Sequence, residues 1–536
     1  MMRVRSVRSW VSAASLLAVC GLAAAMAVSP VVWAQGGPGA SGVPFSGTPV
    51  CAGKTAKECV GLAIDAMGGR EKLEAIQNIR LETASDTKLM EQSYRQAPFI
   101  TSYGRATTTI DFAKQRYRSA GKVTWPEADP GQSDSESLVI VGPAGGVVRI
   151  KDAEYPAPLS MLDVAREALA LGPSRVLLLA ASAGDLSYDK PELLRGSPHT
   201  VVKFSWGKVP VRISINPYNA LPDAVETIQQ FNDFWYFWGD VRQRVYFDNF
   251  ERYHGVSYPT NLIEERNGAL WRSTQALNVE FNVALDDKDF AMNDKFAAAS
   301  AAGTGWKRTF HVDKPTTLAP GVDLYPGAWN STIVKQDDGV TIIEAPISET
   351  YMRGVLDEAA KKYPDLPVRN VLSTSDSWPH TGGVRFARSR KVGVFILDLN
   401  QPLLDAMLAA PHTIDPDMLE RGNQALYADH VNKVTAWRTV SGKTVVGTGD
   451  NRVELYPIRG ASTERQYLVY FPQHHLLYAS DTLALNDDGS LYDPELMYEV
   501  AAAVARENLQ VETVFAMHQG PIPWTQVTAL LAKAEK

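Results

Sequence analysis

Cysteine is nearly absent: the chain has three in 536 residues, and one of them, Cys20, lies in an N-terminal apolar stretch. A framework of several disulfides and a cysteine-rich metal knot are thereby excluded. Cys51 and Cys59 remain, a pair able to close a small loop in an oxidising compartment. No large excess of one charge exists either. The formal net charge of -7, with both signs scattered, gives no reason to expect a nucleic-acid partner. Past the N-terminus no run approaches the roughly 20 apolar residues that a membrane span needs, so no integral span is expected after signal cleavage. Disorder is also a poor description of the whole, with 45% hydrophobic and 21% charged residues.

What is present begins with a secretory pattern. Arg3, Arg5 and Arg8 precede an apolar stretch from Val11 to Val28, and Val32-Trp33-Ala34 offers a cleavage site before Gln35. Residues 1–34 are read as a signal peptide, 35–55 as a flexible Gly/Pro/Ser-containing leader, and the mature protein as periplasmic or secreted. The length then favours two or three domains. A helix is predicted from Lys57 to Met67, stopped by Gly68-Gly69, and a short one from Arg70 to Ile76. Strand patterns follow, among them Val201–Trp206, Val211–Ile215, Ala224–Gln229, Val245–Phe250 and Leu277–Val283. A helix over Met161–Leu171 and another after Pro173 interrupt them. The aromatic run Phe234–Trp238 reads first as core or domain interface and second as the wall of a ligand groove.

Ala297–Gly305, small and without period, marks a linker, placed at 296–309. Beyond it strands and helices alternate: Gly321–Tyr325, Thr332–Val334 and Val340–Ile343, then a helix over Thr350–Lys362 with Ser348 available as its cap. The strand Val368–Leu372 comes next, and helices are predicted at Gln401–Leu408 and Pro494–Glu507. Directly after Val368–Leu372 stands S-D-S-W-P-H-T-G-G, Ser375 to Gly383, a loop at the carboxyl end of a strand, where open α/β sheets place their chemistry.

Thr374 and His380-Thr-Gly382-Gly383 resemble the T-H-x-H-x-D-H-x-G-G loop of the metallo-β-lactamase superfamily. Glu344-Ala-Pro346 is similar to the short turn that closes its early strands. Tyr467–Pro472 with Leu476–Asp481 resembles its hairpin ending in a metal-bridging aspartate, and Phe515-Ala-Met-His518-Gln-Gly520 its last strand. The resemblance covers residues 310–536 and implies an αββα sandwich. Residues 56–295 more weakly resemble the periplasmic lipoprotein-carrier half-barrel, mainly antiparallel β with helices (α+β), through Gly68-Gly69, Lys72, Leu73, Ile76 and Gly255-Val-Ser-Tyr-Pro259.

The resemblance also implies a metal centre, but a depleted one. Ser375, Ser377, Pro379 and Ser462 stand where His, His, Asp and His are expected, while His380, Asp481 and His518 survive. The survivors belong to one half of the two-metal site. Two imidazoles and a carboxylate are a donor set for a single zinc, or for iron. Asp376 and Glu464, on the loops beside the vacated position, are candidate catalytic carboxylates. Two readings follow. One is an exported hydrolase of a small-molecule substrate, using one metal to activate water. The other is a metal-free, catalytically inactive binder or carrier of an apolar ligand.

Overall fold

The computed structural model describes residues 47–89, 101–124, 134–310, 314–327, 329–426 and 437–534. The expected signal peptide, Cys20 and most of the leader lie outside them. Among the described residues no helix is long and apolar enough to cross a membrane.

Cys51 and Cys59 are joined in a disulfide. The first helix, Ala56–Ala66, starts in a capping box, where the Thr55 hydroxyl accepts from Glu58 N and the Glu58 carboxylate accepts from Thr55 N. Its end shows why two glycines follow. A Cβ on Gly68 (φ 125°) would lie 2.5 Å from the Gly255 carbonyl oxygen, so two chain segments meet where no side chain fits. Ser257 N donates to Met67 O alongside, which ties the two short motifs of this half to one contact. The strands from Asn78 to Phe281 form a 14-stranded antiparallel sheet. Asn78–Lys88 is central, flanked by Thr101–Asp111 and Ala269–Phe281. Helices Leu159–Leu171 and Val176–Ser182 interrupt the strands. Val60, Ile64 and Leu177 from the helices pack with Val202, Ile213 and Phe247 from the sheet.

The later strands form two further sheets, of seven and six strands. In the first, Gly339–Ile343, Val368–Leu372, Gly393–Leu397 and Arg438–Val440 run parallel. Such strands are covered on both faces, which is why Gly339–Ile343 and Gly393–Leu397 are buried along their whole length. Ile343, Leu372 and Phe395 of this sheet meet Leu455, Phe471 and Phe515 of the other in one core. Helix Glu349–Lys362, capped by Ser348, covers one outer face through Met352, Val355 and Ala359. Helix Pro494–Arg506 covers the other through Met497, Val500 and Ala503. The layers run helix, sheet, sheet, helix.

Two local expectations change. The linker expected at 296–309 begins inside a helix, Asp294–Ala301, because Asn293 caps Lys295 N and Phe296 N and the alanines favour helix. The loop Ser375–Gly383 contains a helical turn, Trp378–Thr381, with proline early in it, where its missing N–H costs nothing. Residues Pro49–Lys536 form one compact unit, so the expected division at the linker is not seen as two separate bodies. Aromatic packing joins the halves: Phe234 stacks on Trp378, with centroids 4.9 Å apart, and Trp306 packs against both.

Candidate functional site

Four strand ends converge on one side chain network. Glu344 follows Gly339–Ile343, His380 lies in the turn after Val368–Leu372, Asp481 follows Leu476–Tyr478 and His518 follows Thr513–Phe515. Two residues at these ends, Glu344 (φ 77°) and Ser480 (φ 57°), hold left-handed backbone that residues other than glycine rarely adopt. Neighbouring bonds hold both in place. Glu344 N donates to Leu372 O at 2.8 Å, and Met517 N donates to Ser480 O at 3.0 Å. Strain retained in this way is a mark of sites.

The network has an order. Glu344 is fully buried and bonds His380 Nδ1 through Oε2 at 2.8 Å. It also accepts from the Thr374 hydroxyl, which is 2.7 Å from Ser480 Oγ. His380, likewise fully buried, presents Nε2 to Asp481 Oδ2 at 3.5 Å, and Asp481 Oδ1 lies 3.0 Å from His518 Nε2. Side-chain exposure rises along the series from 0% at Glu344 and His380 to 23% at Asp481 and 38% at His518. The chain therefore runs from the core outwards.

Burial alone would strip the proton from His380. The Glu344 and Asp481 carboxylates outweigh it and push its pKa up to about 10. Asp481 shows the mirror effect. Burial would raise it, but the imidazoles of His380 and His518 beside it hold it well below the usual carboxylate range. The buried His380 imidazole thus holds its proton more tightly than a free one.

Asp481 and His518 open onto a cavity of about 500 Å³. Ser375, Ser377 and Pro379 line it, with Gln466 and the rings of Phe234, Trp306, Trp329 and Trp378. Gln466 Oε1 also accepts from Asp481 N at 3.2 Å, which fixes the turn that aims the carboxylate. Ser462 is drawn elsewhere, its N donating to Glu499 and its hydroxyl to Glu495.

The structure brings His380, Asp481 and His518 together. It does not bring the two candidate carboxylates to the same cavity. Asp376 is buried at 3% exposure and Glu464 pairs with Arg465 at the surface, neither lining that space. Glu344, read from sequence only as part of a turn, is the member that was missed. A single acid closing the apolar strand Val340–Ile343 was the available signal.

Asp481 stands between the two imidazoles and turns a different oxygen to each, as in a line of ion pairs. Among the described residues no group of three or more His, Cys, Asp and Glu side chains is placed to hold a metal ion. The zinc or iron expected on His380, Asp481 and His518 is therefore not shown.

A second cavity, of about 190 Å³, lies between helix Leu159–Leu171 and the large sheet. Its lining is mixed, with Leu171, Phe231, Phe247 and Leu262 beside Glu167, Glu264, Arg266 and Arg272.

No family model matches the chain, and no curated protein matches it. Among solved structures, a stereoselective inverting sec-alkylsulfatase from a Pseudomonas species is similar over 41% of this chain, at 17% identity and a TM-score of 0.29. That match spans 40% of the alkylsulfatase's own length. A metallo-β-lactamase from Erythrobacter litoralis matches 41% of this chain and 95% of its own, at 16% identity and a TM-score of 0.31. One from Pontibacter korlensis matches 42% and 99%, at 16% and 0.31. The structural neighbours are thus metallo-β-lactamase-fold proteins and alkylsulfatases, over part of the chain and at low identity.

Proposed function

We propose that the chain is a hydrolase whose general base is His518, oriented by Asp481 and acting on a small molecule bound in the aromatic-walled cavity. One observation carries this reading: a continuous line, Glu344–His380–Asp481–His518, leads from the core to the cavity. Charge buried in this way is costly, and a purely apolar core would need none of it. In the proposed reaction, the His518 nitrogen bonded to Asp481 donates its proton to that carboxylate, which makes the other nitrogen the basic one. It takes a proton from water as the oxygen attacks an ester or amide carbonyl, then returns it to the departing alcohol or amine. His380, cationic between its two acids, keeps Asp481 ionised and in place. A positioned base of this kind contributes about 10²–10⁴-fold. No step passes through a metal. The Cys51–Cys59 disulfide supports the further reading that the protein is exported to an oxidising compartment.

The test is turnover of a panel of neutral and cationic esters and amides by the full chain. Hydrolysis that His518→Ala abolishes and that a chelator leaves unchanged is expected. No turnover with any member, turnover indifferent to His518→Ala, or activity lost to the chelator and restored by zinc would each overturn the reading.

A further inference from the structure

The same cavity carries a statement about what it binds, and the inference rests on the hydrolytic reading above. One wall is aromatic. Phe234 and Trp378 stack at 4.9 Å with their planes 19° apart, Trp306 meets Trp378 at 4.3 Å, and Trp329 meets it at 5.4 Å. Two of these rings come from outside the sandwich, Phe234 from the turn Phe234–Trp238 that follows the strand Pro222–Gln229 of the large sheet, and Trp306 from the segment between the two halves. The lining also holds two carboxylates, Asp481 and Asp493, and among the described residues no lysine or arginine lines it. Asp493 caps the helix Pro494–Arg506 by accepting from Glu495 N and Leu496 N, which fixes its position.

Ring faces attract cations through their quadrupole, and carboxylates attract them directly, so both select the same sign of charge. An anion would face the Asp481 and Asp493 carboxylates, with the His518 imidazole beside them. Two of these rings already neighbour a cation in the chain, the guanidinium carbon of Arg308 lying 5.6 Å from the Trp306 ring centre and 5.4 Å from that of Trp329. A space of about 500 Å³ suits a small organic ligand.

We infer that the cavity selects a small organic cation, an amine or quaternary ammonium compound that carries the bond to be cleaved. Phe234 and Trp306 are then specificity-determining residues supplied to the sandwich site by the preceding half of the chain.

Binding, measured separately from turnover, tests this. The full chain is titrated with phenyltrimethylammonium, with its neutral isostere tert-butylbenzene, and with benzenesulfonate, followed by tryptophan fluorescence and calorimetry. The cation should bind about 10-fold or more tighter than the neutral probe, with benzenesulfonate the weakest. Phe234→Leu and Trp306→Leu, at half-buried positions, should each weaken the cation about 3- to 10-fold and leave the neutral probe within about 2-fold. Asp493→Asn keeps a good helix cap while removing the charge, and should act in the same sense. Equal or tighter binding of benzenesulfonate overturns the inference, as does cation binding that none of the three variants moves. Cation selectivity that persists in His518→Ala, in a protein that hydrolyses nothing, would sink the hydrolytic reading and the claim of a cleaved bond while upholding the cation site.

Discussion

His199 and His380 are both buried imidazoles held by a carboxylate, one in each half of the molecule, yet only one of them leads anywhere. His199, at 2% exposure, bonds Asp223 through Nε2 at 2.8 Å and donates from Nδ1 to the Ser197 carbonyl oxygen at 3.0 Å. Asp223 accepts in addition from Asn216 Nδ2 at 2.7 Å. The group is closed, ending on backbone and on a neighbouring amide. His380 spends one nitrogen on Glu344, and its other faces Asp481, which faces His518, which lines a cavity. Burial and a charge partner are common to both. What separates the two is whether the line of polar groups ends inside the protein or at a space that a small molecule can enter.

The comparison breaks most sharply at the open end. Asp481→Asn should lower kcat about 10²–10⁴-fold, read in the ester and amide assay, since His518 loses the group that orients it. Circular dichroism should stay unchanged. An equal loss of fold and activity would make the line structural, like that of His199.

At the inner end the effect should fall on stability. Glu344→Gln leaves a fully buried imidazole short of one of its two acids, a change that costs about 3–5 kcal/mol when a buried pair is broken. Denaturant unfolding reads it as a lower midpoint with the slope unaltered. A loss under about 1 kcal/mol would show that Asp481 alone holds His380.

The parts of this network differed in how far sequence could place them. His380, Asp481 and His518 sit in three motifs more than 100 residues apart at the extremes, and each motif ends a strand, so their meeting followed from strand order. Side-chain direction did not follow. Glu344 and Ser480 leave their strands through left-handed backbone, which no periodicity encodes, and that turn is what aims Glu344 at His380. Asp376 and Glu464 lie beside Ser375, Ser377 and Ser462 along the chain, but nearness in a loop leaves side-chain direction open. The run Phe234–Trp238 reads as packing from composition, and packing it is. Its first ring is also a wall of the cavity, a fact that depends on the position of Trp378 from the other half. The helix over Asp294–Ala301 escaped because its alanines carry no amphipathic period.

A third buried histidine sharpens the contrast through pH. His412, at 7% exposure, stands 3.8 Å from Asp417 Oδ2, near Arg385 and Asp240, and burial with the Arg385 charge lowers its pKa to about 4. The unfolded value is about 6.5. The unfolded chain therefore binds the extra proton first, so stability is complete above about pH 6.5 and falls as pH drops towards 4, by about 3 kcal/mol at most. Melting temperatures across that range should show the fall, and His412→Gln should flatten it. An unchanged slope in the variant would place the acid sensitivity in other groups.

His199 should move the opposite way and by less. Burial opposes its proton, but the Asp223 hydrogen bond outweighs that and raises its pKa above 6.5. Its contribution is present in full below about pH 6.5 and is lost as pH rises through the folded value. Asp223→Asn keeps a hydrogen-bonding group and removes the charge, so the loss should be about 1 kcal/mol at pH 6 and vanish in alkali. Hydrolysis by the same variant should match the parent at every pH, because the closed pair has no path to the cavity. A change in kcat would show that the two halves communicate through more than the aromatic contact of Phe234 with Trp378.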